Sequence, residues 1–381
     1  MNTLKRIAII TSGHSSYDDR IFWRFGISLQ QNDYEAIIIS SVEEMNTAEH
    51  GIQIKSFAGT SLTKKDKISK FVNLLSEINP GLIICCEPLC IIAAHKYRLS
   101  SRKKINIIYD VTEYYPHDAM LKSYSGIKWL IMYLKYFVIH IYTSNLCNEL
   151  FIGEINKSRI FHYITPFKKK TLIGYYPPLR FFKFVQHKFS EPITLCYSGE
   201  ISISRGIHRY LNLLDQLSRK FTNIRFKGLI IGKTNPEDNL NQSLKELSSL
   251  KNLEIEYIER VKYDKLCEFL SKAHFLIDLR DKNRLFNKSL PISLFDYIAC
   301  GRPIIFSDLD SITQHMESKN FIAFINPDNL SEVISFINER LIDPTEYEND
   351  SKEARMLFEE YYNWENIETI FIENIKRLFN S

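Results

Sequence analysis

Two short loops combine glycine with hydroxyl side chains, and each follows an apolar run. Residues 11–16 contain Gly13, and residues 197–200 contain Gly199. Glycine lets the backbone approach a ligand closely, and the free N–H groups at a helix start attract anions. Arg205, shortly after the second loop, offers a guanidinium that matches the oxygens of a diphosphate. The two loops therefore indicate phosphate binding, although a glycine after a strand more often serves only to make a turn.

A third segment, residues 287–303, carries the most chemical information. Ser289 and Pro291 predict the start of a helix, and Gly301 predicts its end. A hydroxyl group and free N–H groups at a helix start suit a phosphate, and Asp296, about two turns further on, suits the diol of a ribose. This segment therefore predicts a nucleotide site.

Acidic and aromatic side chains are concentrated in residues 110–118, which also follow an apolar run. Their functional interpretation is the wall of a cleft that holds a hydroxylated acceptor. The alternative is a polar loop over packed aromatic rings. Asp18 and Asp19 also have both a functional and a structural interpretation, because Asp19 is well placed to cap a helix that begins near Arg20.

The elements that must position these loops alternate between strands and helices. Short runs rich in isoleucine, each followed by a helix, are typical of a parallel sheet that is covered on both faces. In the first half we predict a helix over residues 20–30, with Ile21, Phe22, Phe25 and Leu29 on its buried face. The strands predicted there are 6–11, 35–40, 81–85 and 105–109, with 139–143 as a further strand or the end of a helix. In the second half the predicted strands are 193–197, 226–231, 253–257, 274–278 and 303–306, and the helices between them include 206–219, 263–272 and 289–300.

Length and composition agree with a globular protein of two domains. The 381 residues are 45% hydrophobic and 25% charged, which excludes a disordered, collagen-like or coiled-coil chain. Two prolines at 177–178 mark a break, and a basic and aromatic linker extends from there to residue 190. An odd number of cysteines, seven, without metal-type spacing or a leader predicts a cytoplasmic protein without disulfides or a metal site.

The two halves differ in charge. Residues 1–190 hold 25 Lys and Arg against 15 Asp and Glu, a net charge of +10, whereas residues 191–381 have a net charge of −6. A basic first half predicts contact with something anionic, such as a membrane surface, a lipid phosphate or a nucleic acid. No RNA-binding motif is present and the second half is acidic, so we do not expect a nucleic-acid partner.

Residues 127–143 are the closest approach to a membrane span, but they include Lys128, Lys135 and His140. Such an apolar segment is more often a buried helix. The alternative is a helix that rests on a bilayer while its lysines extend to anionic headgroups, assisted by the basic residues 168–170. If the protein meets a membrane, we therefore expect peripheral rather than integral attachment.

Residues 287–303 resemble the donor-binding signature of GT-B glycosyltransferases, specifically the retaining family-four enzymes (glycosyltransferase group 1). Four further segments resemble motifs of that group in the same order. These are the opening loop and helix at 13–22, the D-x-H-E-Y-Y-P loop at 109–116, the phosphate loop at 199–206, and the C-terminal helix around Trp364. The resemblance covers nearly the whole chain. It implies an α/β protein of GT-B architecture, with two Rossmann-like doubly wound domains facing a central cleft.

By this resemblance, residues 1–177 and a returning helix at about 361–381 form the acceptor-binding domain, and residues 178–360 bind the donor. The implied activity is retaining transfer from a nucleotide sugar, with UDP-sugar favoured, to a glycan or polyprenyl-linked saccharide in surface polysaccharide biosynthesis. The leaving diphosphate accepts the acceptor's proton on the same face, so neither a protein nucleophile nor a metal or other cofactor is expected. The expected donor-binding residues are Gly13, Gly199, Arg205, Gly232, Ser289, Leu290, Pro291 and Asp296, and the expected catalytic residues near the acceptor are Glu113, Asp18 and His14.

The chain departs from the pattern of the group at several positions. Thr112 replaces a histidine near the acceptor, Ser293 a lysine, and Glu200 an arginine. Lys288 and Asp296 stand at the positions of the group's paired glutamates. These departures leave Arg205 as the main cation for the diphosphate, with Lys233 or Arg280 as further candidates. They keep open a non-catalytic GT-B protein that binds a nucleotide sugar or a partner; the residues typical of a nucleotide-sugar epimerase are not evident.

Overall fold

The computed structural model describes residues 5–111, 116, 120–186, 188–233 and 241–380. The chain divides into two compact units. The first contains Met1–Tyr175 and Ile367–Ser381, and the second contains Tyr176–Asn366. The division falls two residues before the boundary expected from the sequence.

The first unit is built on an eight-stranded sheet with the order β3-β4-β2-β1-β5-β6-β7-β8. Its strands are β1 (Lys5–Thr11), β2 (Tyr34–Ser40), β3 (Met45–Glu49), β4 (Ile52–Ser56), β5 (Leu82–Cys85), β6 (Asn106–Val111), β7 (Glu149–Ile152) and β8 (Lys169–Leu172). All pairs are parallel except β3 with β4. The isoleucine-rich centres of β1, β2 and β5 are buried on both faces, as expected for a covered parallel sheet.

The helices of this unit cover the sheet. They are a π-helix (Asp19–Gly26), α1 (Ile27–Gln31), α2 (Lys64–Ile78), α3 (Pro88–Ser101), α4 (Gly126–Leu146), α5 (Ile155–Ile164) and, from Ile367 onward, α14 (Trp364–Asn380). The predicted helix at 20–30 is present, but its first turns are π-helical and are buried on every side, including Arg20 and Arg24. The prediction of a single apolar stripe was therefore too simple.

One element in this half is corrected by the structure. Of the two alternatives for 139–143, the helix is correct and the strand is wrong, because these residues belong to α4; the strand of this region is β7. The interpretation of α4 as a buried helix is also wrong, because Ile127, Ile131 and Val138 are largely exposed. None of the helices within the described ranges combines the length and the apolarity that crossing a bilayer requires.

The second unit has a six-stranded, fully parallel sheet with the order β11-β10-β9-β12-β13-β14. Its strands are β9 (Ile193–Ser198), β10 (Phe226–Ile231), β11 (Leu253–Ile258), β12 (Phe275–Asp278), β13 (Ile304–Ser307) and β14 (Ile322–Ile325). Its helices are α6 (Ile207–Lys220), α7 (Asn241–Leu247), α8 (Tyr263–Leu270), α9 (Arg284–Lys288), α10 (Ile292–Ala299), α11 (Asp310–Thr313), α12 (Leu330–Ile342) and α13 (Pro344–Glu360). Both units thus have the doubly wound α/β design that the sequence predicts.

The C-terminal helix α14 completes the core of the first unit. The ring of Phe371 stacks on Phe25 with centroids 4.6 Å apart and meets the edge of Phe151 at 5.8 Å. Further along α14, Asn374 accepts a hydrogen bond of 2.6 Å from Lys169 on β8. The last residues of the chain are therefore part of the first unit's fold.

A buried arginine fixes the end of α10, the helix of the donor-binding signature. Arg302 is fully buried and donates to five backbone carbonyl oxygens at 2.8–3.1 Å. Those oxygens belong to Val185, Ser271, Ala273, Cys300 and Gly301. The guanidinium thereby joins the C-terminal ends of α8 and α10, whose carbonyl groups have no helical partners of their own.

We predict that Arg302→Ala strongly destabilises the second unit. The substitution leaves several buried carbonyl oxygens without a donor, each at a cost of about 1–3 kcal/mol, so the free energy of unfolding should fall by at least about 3 kcal/mol. Urea denaturation followed by tryptophan fluorescence and circular dichroism measures the change. The control is Arg219→Ala, which removes an exposed cation paired with Asp215 and should leave the curve almost unchanged. Superimposable curves for the two variants would contradict the structural role of Arg302.

Candidate functional site

In the first unit, the loop after β1 is occupied by a carboxylate of the chain itself. Glu87, just after the neighbouring strand β5, accepts hydrogen bonds from the N–H groups of Ser12 at 2.7 Å and Gly13 at 3.0 Å. The hydroxyl group of Thr11 donates to the same carboxylate at 2.8 Å. The N–H group of Gly13 that we expected to bind a donor phosphate therefore already has an anionic partner.

His14 and Asp18 lie together beside this loop. Their side chains are 3.2 Å apart, between Nδ1 and Oδ2, and His14 Nε2 lies 3.8 Å from Glu87 Oε1. Asp18 also caps the π-helix by accepting from the N–H groups of Arg20 and Ile21. Burial opposes the charge of Asp18, but the His14 ring and these N–H groups outweigh it and lower its pKa. The structure thus brings together two of the three expected catalytic residues.

The third, Glu113, lies outside the described residues, as does Thr112. The strand that leads to them, β6, is held by a buried ion pair. Arg20 donates from Nε and Nη2 to the two carboxylate oxygens of Asp110, both at 2.7 Å. Sequence analysis placed Arg20 at the start of a helix and Asp110 in an acidic loop, and it did not connect the two because 90 positions separate them.

In the second unit, the backbones of Gly199 and Gly232 pass very close to each other. A Cβ atom added to Gly232 would fall 1.7 Å from the carbonyl oxygen of Gly199, so only glycine fits there. A Cβ added to Gly199 would meet no atom within 4 Å, which leaves this backbone open to a ligand. The N–H groups of the two glycines donate to Ile231 and Ile258. Gly232 therefore permits the close approach of the two backbones, and the backbone of Gly199 is accessible to a ligand.

Two arginines flank one phenylalanine next to this loop. The guanidinium carbons of Arg205 and Arg280 lie 5.3 and 5.2 Å from the centre of the Phe286 ring. Burial and the nearby charge of Arg280 lower the pKa of Arg205, although Asp278 and Glu200 oppose this shift. Arg205 keeps about a third of its side chain exposed. Its Nε lies 3.8 Å from a carboxylate oxygen of Glu200, a longer contact than the ion pair of Arg280. Two guanidinium groups this close to each other favour the binding of an anion.

Arg280 is held much more firmly than Arg205. It forms a bidentate ion pair with Asp278, and its pKa is raised because that carboxylate outweighs burial. The hydroxyl group of Ser293 lies 3.2 Å from Arg280 Nη2 and 3.3 Å from Asp278 Oδ2. The residue that replaces a lysine of the group thus bridges an ion pair at the start of α10.

The segment 289–291 differs from the prediction. Ser289 does not open the signature helix; it ends α9, and its N–H group donates to the carbonyl of Leu285 at 3.2 Å. Pro291 is the N-cap residue and α10 starts at Ile292, while Leu290 packs against the core. The prediction failed because a short additional helix precedes the proline.

Two further side chains of α10 face the interior of the unit. Asp296 lies one turn into the helix, not two, and its Oδ1 accepts a hydrogen bond of 3.1 Å from the hydroxyl group of Tyr263. The hydroxyl group of Tyr297 accepts from the N–H group of Ser198 at 3.1 Å, next to Gly199. Sequence analysis missed the role of Tyr297, which is to connect the signature helix to the loop after β9.

Residues 180–356 match the family model described as glycosyl transferases group 1. The match lies within the second unit and spans most of it. The match covers the Gly199 loop, Arg205 and all of α10, so the donor-binding signature and the two arginines lie in the matched region. Within the described part of the chain, no three His, Cys, Asp or Glu side chains form a metal-binding group.

Solved structures that resemble the whole chain have the GT-B fold. Sucrose-phosphate synthase from Thermosynechococcus elongatus is 13% identical, with a TM-score of 0.71 over 99% of both chains. Alr3699/HepE of Anabaena in complex with UDP-glucose is 10% identical, with a TM-score of 0.65 over 98% of this chain and 99% of its own. The lipopolysaccharide outer core galactosyltransferase WaaB is 14% identical, with a TM-score of 0.58 over 97% and 99%. None of the curated protein sequences compared is significantly similar.

These findings confirm the predicted GT-B architecture and, with the group 1 match, support a glycosyltransferase. The family match rests on the second unit alone. The first unit shares its fold with the solved structures, but at this level of identity its acceptor residues are not fixed by the likeness.

We predict that Glu87→Gln destabilises the loop after β1. A glutamine places an NH₂ group against N–H donors and removes the negative charge, and hydrogen bonds to a charged group contribute about 1.5–3 kcal/mol each. We expect the free energy of unfolding of the first unit to fall by about 2 kcal/mol, as measured by urea denaturation. Glu77→Gln, on the exposed side of α2, is the matched control. Equal stability of the two variants would mean that the carboxylate does not organise the loop.

Proposed function

We propose that the chain is a retaining glycosyltransferase that transfers a sugar from a UDP-sugar to a glycan or polyprenyl-linked saccharide during surface polysaccharide synthesis. The observation that carries this proposal is the placement of Arg205 in the group 1 unit. Arg205 lies beside Arg280 and the open backbone of Gly199, after the central strands β9 and β12. Ligands of doubly wound sheets bind at this end of the strands.

The nature of the donor is supported by the solved structures. Alr3699/HepE was solved with UDP-glucose, with UDP and with UDP and glucose. For this chain we therefore favour UDP over GDP as the nucleotide. We assign Asp296 to the ribose, because a carboxylate can accept hydrogen bonds from a diol and Asp296 lies one turn into α10.

In the proposed reaction the bond between the sugar and the diphosphate breaks, and the acceptor oxygen bonds to the sugar on the same face. The proton of the acceptor hydroxyl passes to an oxygen of the departing diphosphate. Arg205 stabilises the charge that develops there, and the reaction requires no nucleophile from the protein. Among the other expected donor residues, we keep Gly199, Gly232, Ser289, Leu290 and Pro291 for the nucleotide. We no longer assign Gly13 to it, because the N–H group of Gly13 already donates to Glu87.

The acceptor is assigned to the first unit. His14 and Asp18 form a hydrogen-bonding pair, and we place Glu113 near the same hydroxyl group of the acceptor. WaaB, a galactosyltransferase of the lipopolysaccharide outer core, is among the similar structures and supports a role in surface polysaccharide synthesis. We propose a cytoplasmic protein that works at the inner face of the cell membrane.

A non-catalytic GT-B protein is the second candidate. The observation that favours it is Ser293, a neutral hydroxyl group bound to the Asp278–Arg280 ion pair where the group usually has a lysine. Such a protein would bind the nucleotide sugar and transfer nothing. Donor binding is common to both candidates, so the transfer assay decides between them.

We predict that UDP stabilises the protein more than GDP. At 100 times its Kd, a nucleotide adds about 2.7 kcal/mol of stability, which raises the Tm of a unit of this size by a few degrees. Differential scanning fluorimetry with UDP, GDP and their glucose conjugates measures the shift. A shift with GDP alone would mean that the donor is a GDP-sugar and not a UDP-sugar. The absence of a shift with any nucleotide would argue against a donor site.

We further predict that Arg205→Ala lowers the rate of transfer by about 10²–10³, because the leaving diphosphate loses its main cation. Radiolabelled UDP-sugars and isolated lipid-linked saccharides provide the assay, and nuclear magnetic resonance of the product reports the anomeric configuration. Arg225→Ala, on an exposed arginine of the same unit, is the control and should turn over normally. Near-normal turnover by Arg205→Ala would refute the phosphate assignment, and an inverted product would refute the retaining mechanism.

A further inference from the structure

The helix α4 has its apolar side chains on the outside. Ile127 is 76% exposed, Ile131 58% and Val138 61%. The side chains that the same helix buries are mostly polar: Tyr136, His140, Thr143 and Ser144. This is the reverse of a surface helix of a globular protein, whose apolar stripe faces the core.

The exposed apolar residues form one continuous stripe. Their positions differ by three or four, which keeps them on one side of the helix over roughly 22 Å. The members of the stripe are Ile127, Leu130, Ile131, Leu134, Val138 and Tyr142. A row of aromatic rings runs alongside it, since Trp129 stacks on Tyr133 at 5.2 Å and Tyr133 on Phe137 at 6.1 Å. We call this combined surface the α4 face.

The inward side of α4 stays uncharged. Burial lowers the pKa of His140 to about 4, so the ring is neutral at physiological pH. The ring packs edge-on against Tyr109 of β6 and Phe161 of α5. Because these contacts hold the polar side inward, the orientation of the apolar stripe is fixed by the fold.

The apolar surface continues beyond the end of α4. The side chain of Asn145 donates to the carbonyl of Ile164 at 2.9 Å and so ties the end of α4 to the end of α5. Next to this contact, Tyr163 is 85% exposed and Phe167 is 98% exposed. Exposed aromatic rings contribute no burial to the stability of a protein in water, and these two lie at the end of α5 that Asn145 connects to α4.

The chain segment that carries the α4 face is basic. Residues 120–172 contain eight lysines and arginines but only two acidic residues, Glu149 and Glu154. Both acidic residues are buried. Two of the lysines, Lys128 and Lys135, are exposed on α4 itself. Their long side chains can reach past the apolar stripe to phosphate groups.

We propose that the α4 face, together with Tyr163 and Phe167, docks the protein on an anionic lipid bilayer. An exposed apolar stripe bordered by lysines matches the acyl chains and the charged headgroups of such a surface. A second copy of the chain fits less well, because it would bring the same positive charge against its own. The docking is peripheral, since α4 does not meet the requirements of a membrane-spanning helix. It does not depend on the transfer reaction and is tested without it.

The test is flotation of the full-length protein with lipid vesicles. We expect binding to vesicles of phosphatidylglycerol and phosphatidylcholine, weaker binding at high salt, and little binding to phosphatidylcholine alone. The variant Ile127→Ser/Ile131→Ser/Leu134→Ser removes the centre of the stripe. We expect its partition coefficient to fall at least tenfold, with an unchanged Tm because these side chains are exposed. The partition coefficient of Lys128→Glu/Lys135→Glu should fall by a similar factor, but only with anionic vesicles.

Two control variants match these changes in chemistry. Leu99→Ser/Ile342→Ser/Met356→Ser removes equally exposed apolar side chains elsewhere, and Lys251→Glu/Lys352→Glu reverses exposed charges in the second unit. Both should bind vesicles like the unchanged protein. The proposal is overturned if the unchanged protein fails to float with anionic vesicles or if the stripe variant floats equally well. It is also overturned if analytical ultracentrifugation finds a dimer that only the stripe variant dissociates, because the α4 face would then be an interface between copies.

Discussion

The buried ion pair between Asp278 and Arg280 is the interaction on which the organisation of the second unit most depends. It joins the end of the central strand β12 to the start of α10 through Ser293, and to the end of β13 through the hydroxyl group of Ser307, which donates to the Arg280 carbonyl at 2.7 Å. Removing either charge would leave the other buried and unpaired, at a cost of about 3–5 kcal/mol. Because Asp278 takes up the charge of Arg280, Arg205 is the arginine of the pair that remains less compensated.

The first unit also contains a buried arginine–aspartate pair, but its glycine loop has different charged neighbours. Arg20 and Asp110 form its buried pair, but the neighbouring loop after β1 is filled by the carboxylate of Glu87. The two glycine loops look alike in sequence, yet one already holds an anion and the other lies beside arginines. This difference favours the second unit as the place where a diphosphate binds. It also favours a role for the His14–Asp18 pair in contacts with neutral hydroxyl groups.

The parallel sheets could be predicted from the sequence because their central strands are continuous apolar runs between helices. Within the described residues, five strands were missed. β3 is polar and mostly exposed at a sheet edge, β4 alternates buried residues with half-buried polar ones, and β8 contains two lysines. β7 and β14 have four residues each, but so do the predicted strands β5, β12 and β13, so length does not explain why they were missed. From single segments, the sequence could propose candidate site residues only at Arg205 and along α10, and these assignments stay predictions. Glu87 and Tyr297 were missed, because their roles depend on strands that are adjacent in space and distant in the chain.

For α4, composition predicts an apolar helix but does not predict which of its sides is buried. Its apolar residues are compatible both with a buried helix and with a surface helix, and the sequence does not say which side meets the sheet. The structure decides this through His140, which packs between Tyr109 and Phe161 and leaves the isoleucines outside. An enzyme that takes its acceptor from a lipid carrier must work within reach of a bilayer. An exposed apolar helix bordered by lysines suits the lipid-linked acceptor that we propose. Among the helices of the described residues, none is long and apolar enough to cross a bilayer.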